Sequence, residues 1–185
     1  MKHLDLAPGF AAALCLLRLL AEPRVFYAFL AAAAAHEAGH VMAIYLVGGK
    51  VIKLRLGMCD AKIETQGLGY RQEIFCALAG PGMSVLVCLA LRKAYATCAA
   101  ISLLLGLFNA MPVYPLDGGR ALYLLLAWLA GPGTAEWGCR WVGISTALAA
   151  ASGTAWLVWR TGGSFWLLPA VMGLLLAGVG WRNDR

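Results

Sequence analysis

Six apolar runs divide this chain, and together they carry more apolar surface than one soluble core of 185 residues can hide. They cover positions 6–21, 25–47, 74–91, 94–130, 141–159 and 165–181, with most of the charge confined to the short breaks between them. Hydrophobic residues make up 62 % of the chain and charged residues 13 %, against roughly 45–50 % and 25 % in ordinary globular proteins. Lipid is the solvent that accepts such an excess. The expected fold is an all-α polytopic membrane protein of about six transmembrane helices. Disorder is excluded, because it needs low hydrophobicity and high charge. The net charge of +6 does not point to nucleic acid, since the basic residues sit between apolar runs, where membrane topology accounts for them. The six cysteines form no C-x-x-C pair and read mainly as small hydrophobes.

Three segments depart from the helical pattern. The run at 6–21 is short and interrupted by Arg18, so it predicts a weak first span. In 50–73, Ile52, Leu54, Leu56 and Met58 alternate with Lys53, Arg55 and Gly57, and a second alternation surrounds Ile63 beyond Asp60-Ala61. This is strand periodicity and predicts a short β-hairpin at the membrane surface, its exposed edge available to an extended substrate. The run at 94–130 is too long for one span and is broken by Asn109, Pro112, Pro115, Asp117 and Gly118-Gly119. Irregular backbone at membrane depth is tolerated only where protein buries it or it lines a cavity. A loop is expected over 131–140.

Lysine and arginine asymmetry sets the expected orientation. With six spans and both termini cytoplasmic, the inside holds Lys2, Lys50, Lys53, Arg55, Lys62, Arg71, Arg120, Arg140, Arg182 and Arg185, and the outside Arg24, Arg92, Lys93 and Arg160. Residues 1–185 read as one membrane-embedded domain, with no PDZ domain and no soluble C-terminal domain.

The chemistry is concentrated in Ala35-His36-Glu37-Ala38-Gly39-His40, well inside the second run. Residues four apart on a helix share a face, a spacing that lets two imidazoles hold one Zn²⁺. Glu37, beside the first histidine, is placed to act as general base. Ionisable residues inside a membrane helix are costly and point to function; His3, at the N-terminus, reads as solvated. A catalytic zinc usually has three protein ligands. Asp117 is the only aspartate associated with an apolar run, and two roles are open to it: third ligand, or N-cap of a helix beginning near Gly118.

His36-Glu37-Ala38-Gly39-His40, together with Asn109-Ala110-Met111-Pro112-Val113-Tyr114-Pro115-Leu116-Asp117-Gly118, resembles the paired signature of the site-2 proteases, intramembrane zinc metalloproteases. Ala79-Gly80-Pro81 is similar to a further element of that family. The resemblance runs from about Leu30 to Leu126 and is strongest to the compact bacterial stage IV sporulation protease subfamily. It implies one catalytic zinc held by His36, His40 and Asp117, with Glu37 catalytic and Asn109 positioning substrate or its oxyanion. It also implies a multi-pass protein of a bacterial cell membrane with its active site towards the cytoplasmic side. The implied substrate is a membrane-associated protein, either a transcription-factor precursor or a membrane-tethered regulator, and the implied partner is an inhibitory membrane protein. The chain departs from the family at Ser84, where many relatives have asparagine, and in lacking the nucleotide-sensing domain of sporulation-type members.

Two rivals use the same residues. A membrane metal-binding or transport protein fits the His/His/Asp cluster but has no use for a general base at Glu37. A zincin of another family would take a glutamate as third ligand, and Glu64, Glu73 and Glu136 all fall in expected loops.

Overall fold

The structure is a computed structural model that describes residues 3–6, 8–56 and 61–161. Contacts along the chain separate it into two units, Met1–Asn109 and Ala110–Arg185.

The first unit holds strand β1 (His3–Leu6), helices α1 (Pro8–Leu20) and α2 (Pro23–Leu46), strands β2 (Lys50–Leu56) and β3 (Ala61–Gln66), and helices α3 (Tyr70–Leu91) and α4 (Ala96–Asn109). Pro23 opens α2, a position where its fixed φ suits the helix and its missing N–H costs nothing. The helix then runs 24 residues, about 36 Å at 1.5 Å per residue. It ends on a Schellman motif: Gly48 takes φ +78°, its N–H bonds to Tyr45 O, and the Gly49 N–H bonds to Ile44 O. Only glycine adopts that conformation cheaply. The start of α3 is tied to this end, because the Gln72 side chain accepts from the Gly69 N–H at 2.9 Å and donates to Val47 O at 3.2 Å. Ala43 and Ile44 of α2, Val51 of β2 and Cys76 of α3 form the small core beneath. Helices α2, α3 and α4 pack against one another in pairs.

The sheet is larger than the hairpin expected from alternation. Strands β2 and β3 pair antiparallel, with a register irregularity between Val51 and Lys53. In addition β1 pairs parallel with β2, Leu4 opposite Leu54. Strand order is therefore β1-β2-β3. This corrects the expectation that the 52–58 strand offers a free edge: β2 is central, and the edges belong to β1 and β3. Four residues at the N-terminus are too short a segment for period-two alternation to be read. Met58 and Asp60 lie outside the described residues.

The second unit begins with a tight connection in which Val113 N–H bonds to Met111 O and Leu116 N–H to Val113 O; the Tyr114-Pro115 peptide is cis. Helix α5 (Asp117–Ala130) follows and, after Gly131 at φ +87°, helix α6 (Pro132–Thr161). The expected loop at 131–140 is thus confined to Gly131. Gly-Pro reads as a break, yet a proline at the first helical position starts a helix. Ala121, Leu124 and Ala127 of α5 are buried, and so are Ala135, Cys139 and Ala147, spaced in multiples of four along α6. The two helices pack together, and Val113 of the connection joins Ala147 in a second core cluster.

The fold is predominantly helical with one small sheet. Among the described residues three helices are long and apolar enough to cross a membrane: Pro23–Leu46, Tyr70–Leu91 and Pro132–Arg160. Helix α1 has 13 residues, about 20 Å, short of a hydrocarbon core of roughly 30 Å. The first apolar run therefore does not form a helix of spanning length. The run at 165–181 lies outside the described residues.

Candidate metal centre

His36 and His40 stand one turn apart on α2 and are almost wholly buried, with 3 % and 8 % exposure. Their rings meet edge to face, and their Nε2 atoms converge to 3.3 Å. Each Nδ1 is engaged by α3. His40 Nδ1 donates to the Cys76 carbonyl at 2.8 Å, and since a carbonyl only accepts, that bond leaves the Nε2 lone pair of the neutral ring unprotonated. His36 Nδ1 lies 2.9 Å from Ser84 Oγ.

Glycine makes room for this pair. A Cβ on Gly80 would collide with Nε2 of both His40 and His36. A Cβ on Gly39 would lie 2.7 Å from Met83 Cβ and 2.8 Å from Ala79 O, so α2 and α3 approach nearly backbone to backbone. Cys76, Gly80 and Ser84 recur every four residues and form the α3 stripe that faces the histidines.

Glu37 follows His36 directly; it is half-buried, and its Oε2 is shielded from solvent. Asn109 closes α4 and donates from Nδ2 to Leu105 O at 3.0 Å. Asp117 is the first residue of α5, with Leu116 as its N-cap. The capping role left open for Asp117 is thereby corrected, since the cap falls one residue earlier. Behind Asp117, a Cβ on Gly118 would strike the Ala110 carbonyl and one on Gly119 the backbone of Val113 and Tyr114. The two glycines let the connection lie flat against the first turn of α5.

The imidazole pair fits zinc. Two ligands at 2.0–2.1 Å from a tetrahedral ion are about 3.3 Å apart, the spacing of the two Nε2 atoms. Two imidazoles and a carboxylate make a ligand set that leaves a fourth position open. The glycine at position 80 keeps the space beside both nitrogens clear.

Residues missed at the level of sequence are those on α3. Ser84 stood out only as a departure from a motif, and the Cys76 carbonyl carries no side-chain signal. The four-residue spacing of small residues around Gly80-Pro81 is the one sign that a helix approaches closely there.

The profile of Peptidase family M50 matches residues 89–150, a stretch that includes Asn109 and Asp117 but not the histidines. No individual curated protein matches in sequence. Among solved structures, the site-2 protease from Methanocaldococcus jannaschii is similar with a TM-score of 0.69 and 19 % identity, over 98 % of this chain and 91 % of that one. The resemblance to the site-2 proteases as a family is borne out: this chain is similar to Peptidase family M50 over residues 89–150 and has the fold of a site-2 protease over nearly its whole length.

Proposed function

We propose that this protein is an intramembrane zinc metalloprotease that hydrolyses a peptide bond in a membrane-associated protein. The observation that carries the reading is the buried His36–His40 pair, with both Nε2 atoms at the spacing a tetrahedral ion demands. The M50 profile and the site-2 protease fold support the same class. The proposed ligands are His36 and His40, with Asp117 as the third on the strength of the motif resemblance.

Bound zinc supplies Lewis-acid polarisation of the scissile carbonyl and makes water acidic enough to attack near neutral pH. The chain's own residues do the rest. Glu37 takes the proton from the attacking water and later delivers it to the leaving amine. The second Nδ2 hydrogen of Asn109 is a donor for the carbonyl oxygen as charge develops there. A helical substrate hides its backbone in its own hydrogen bonds and must unwind before Glu37 can serve it. The edges of the sheet open to strand addition are β1 and β3.

The protein is further proposed to be a multi-pass component of a bacterial cell membrane, with cytoplasmic termini and its site towards the cytoplasm. Its substrate is a transcription-factor precursor or a membrane-tethered regulator, as in the sporulation subfamily, and a membrane partner keeps it silent. Co-expression with candidate membrane substrates, followed by mass spectrometry of the products, tests the function. Cleavage that is abolished by a chelator and restored by Zn²⁺ is the expected result. Stoichiometric zinc with no cleavage of any candidate would favour a metal-binding protein instead.

A further inference from the structure

We propose that Ser84 is a positioning residue for the metal centre, holding the His36 ring so that its Nε2 is presented to zinc; the proposal rests on the metalloprotease reading.

The two imidazoles are held in chemically different ways. His40 donates to a main-chain carbonyl, a partner set by the α3 backbone and present whatever the side chain. His36 Nδ1 instead meets a side-chain atom, Ser84 Oγ at 2.9 Å. A hydroxyl both gives and takes hydrogen bonds. When it accepts from His36 Nδ1–H, the neutral ring carries its proton on Nδ1 and Nε2 is bare, the form in which imidazole binds a metal.

Ser84 is itself gripped. It is 1 % exposed, and a Cβ on Gly106 would sit 2.7 Å from Ser84 Cβ and 3.3 Å from Pro81 O. The backbone of α4 thus closes over the serine. Three helices converge on one hydroxyl: α4 limits its movement, α3 carries it, and α2 donates the bond it accepts. A side chain that only filled space would not need its oxygen aimed at a ring nitrogen.

The test measures zinc affinity of the purified, detergent-solubilised full chain by competition with a chromogenic chelator, so activity is not the readout. Ser84→Ala removes one atom and should weaken zinc by about 10- to 100-fold, the usual cost of losing a hydrogen bond behind a metal-bound histidine. Ser102→Ala is the packing control. Ser102 is also wholly buried, and its Oγ has no hydrogen-bond partner among the described residues, so its loss should change affinity by no more than about twofold. Apo-protein melting temperatures of both variants report on folding separately. Unchanged affinity in Ser84→Ala overturns the proposal, and so does an equal loss in both variants, which would mark a general packing effect. If wild-type protein binds no zinc at all, the metalloprotease reading fails and takes this proposal with it.

Discussion

At the scale of the residue, the proposed chemistry separates groups that would hold a metal from groups that would act on substrate. Glu37 adjoins His36 and is half-buried, which suits a base shielded from bulk water. Glu37→Gln keeps size and hydrogen-bonding reach while deleting the base. It should retain zinc and lower the cleavage rate by about two to four orders of magnitude, measured as turnover against metal content of the same preparation. Asp117→Asn asks a different question. Leu116 is the cap, and the exchange gives up the attraction of a charge to the helix N-terminus, about 0.3–1 kcal/mol. If Asp117 is a ligand, zinc affinity should fall by at least about tenfold, since a neutral amide is a poorer partner for the cation. Zinc stoichiometry after dialysis decides between these outcomes.

At the scale of the element, close approach of α2 and α3 matters more than their individual stability. Alanine is the better helix former by up to about 1 kcal/mol, so Gly80→Ala should favour α3 in isolation. In the folded protein its Cβ would enter the space of both Nε2 atoms. The expected variant is folded and membrane-integrated but depleted of zinc, as circular dichroism and metal analysis would show. In the sheet, Leu54 lies opposite Leu4 on one side and Ile63 on the other. Leu54→Pro removes a ladder donor from a central strand, where proline is hardly tolerated. Protease sensitivity of 50–66 should rise, and any loss of cleavage would then report sheet disruption rather than loss of a substrate-binding edge.

At the scale of the whole molecule, the excess apolar surface demands lipid. Along α6, Trp137 and Trp141 near one end and Trp156 and Trp159 near the other are exposed, and Arg160 lies over the Trp156 ring. The inner pair lies fifteen positions apart, about 22 Å, so the tryptophans suit the two aromatic belts of a bilayer. Leu148 lies between them and is exposed. Leu148→Arg should reduce integration of this helix, because arginine near the centre of a span costs about 2.5–3.5 kcal/mol. The integrated fraction in a translocation assay measures it, and an unchanged fraction would argue that this face of α6 does not meet lipid.

How much of this was legible in the chain depends on the range of the interactions involved. Apolar runs, the two-strand alternation and the His36–His40 spacing are local, and local periodicity writes them directly into the sequence. The sequence by itself therefore determined the helical class, the hairpin, both histidines and the neighbouring Glu37. Where several turns of chain must be compared with a distant segment, periodicity is silent. Pairing of β1 with β2 is a long-range hydrogen-bond choice by a four-residue strand. The helical start at Pro132 turns on whether proline falls at the first helical position or inside a turn. Only the tertiary structure decided that Ser84 and the Cys76 carbonyl engage the histidines, and that Gly80 and Gly39 are small because another helix lies against them. Those roles arise from which atoms meet when α2, α3 and α4 pack, a relation between distant segments that no single stretch of sequence encodes.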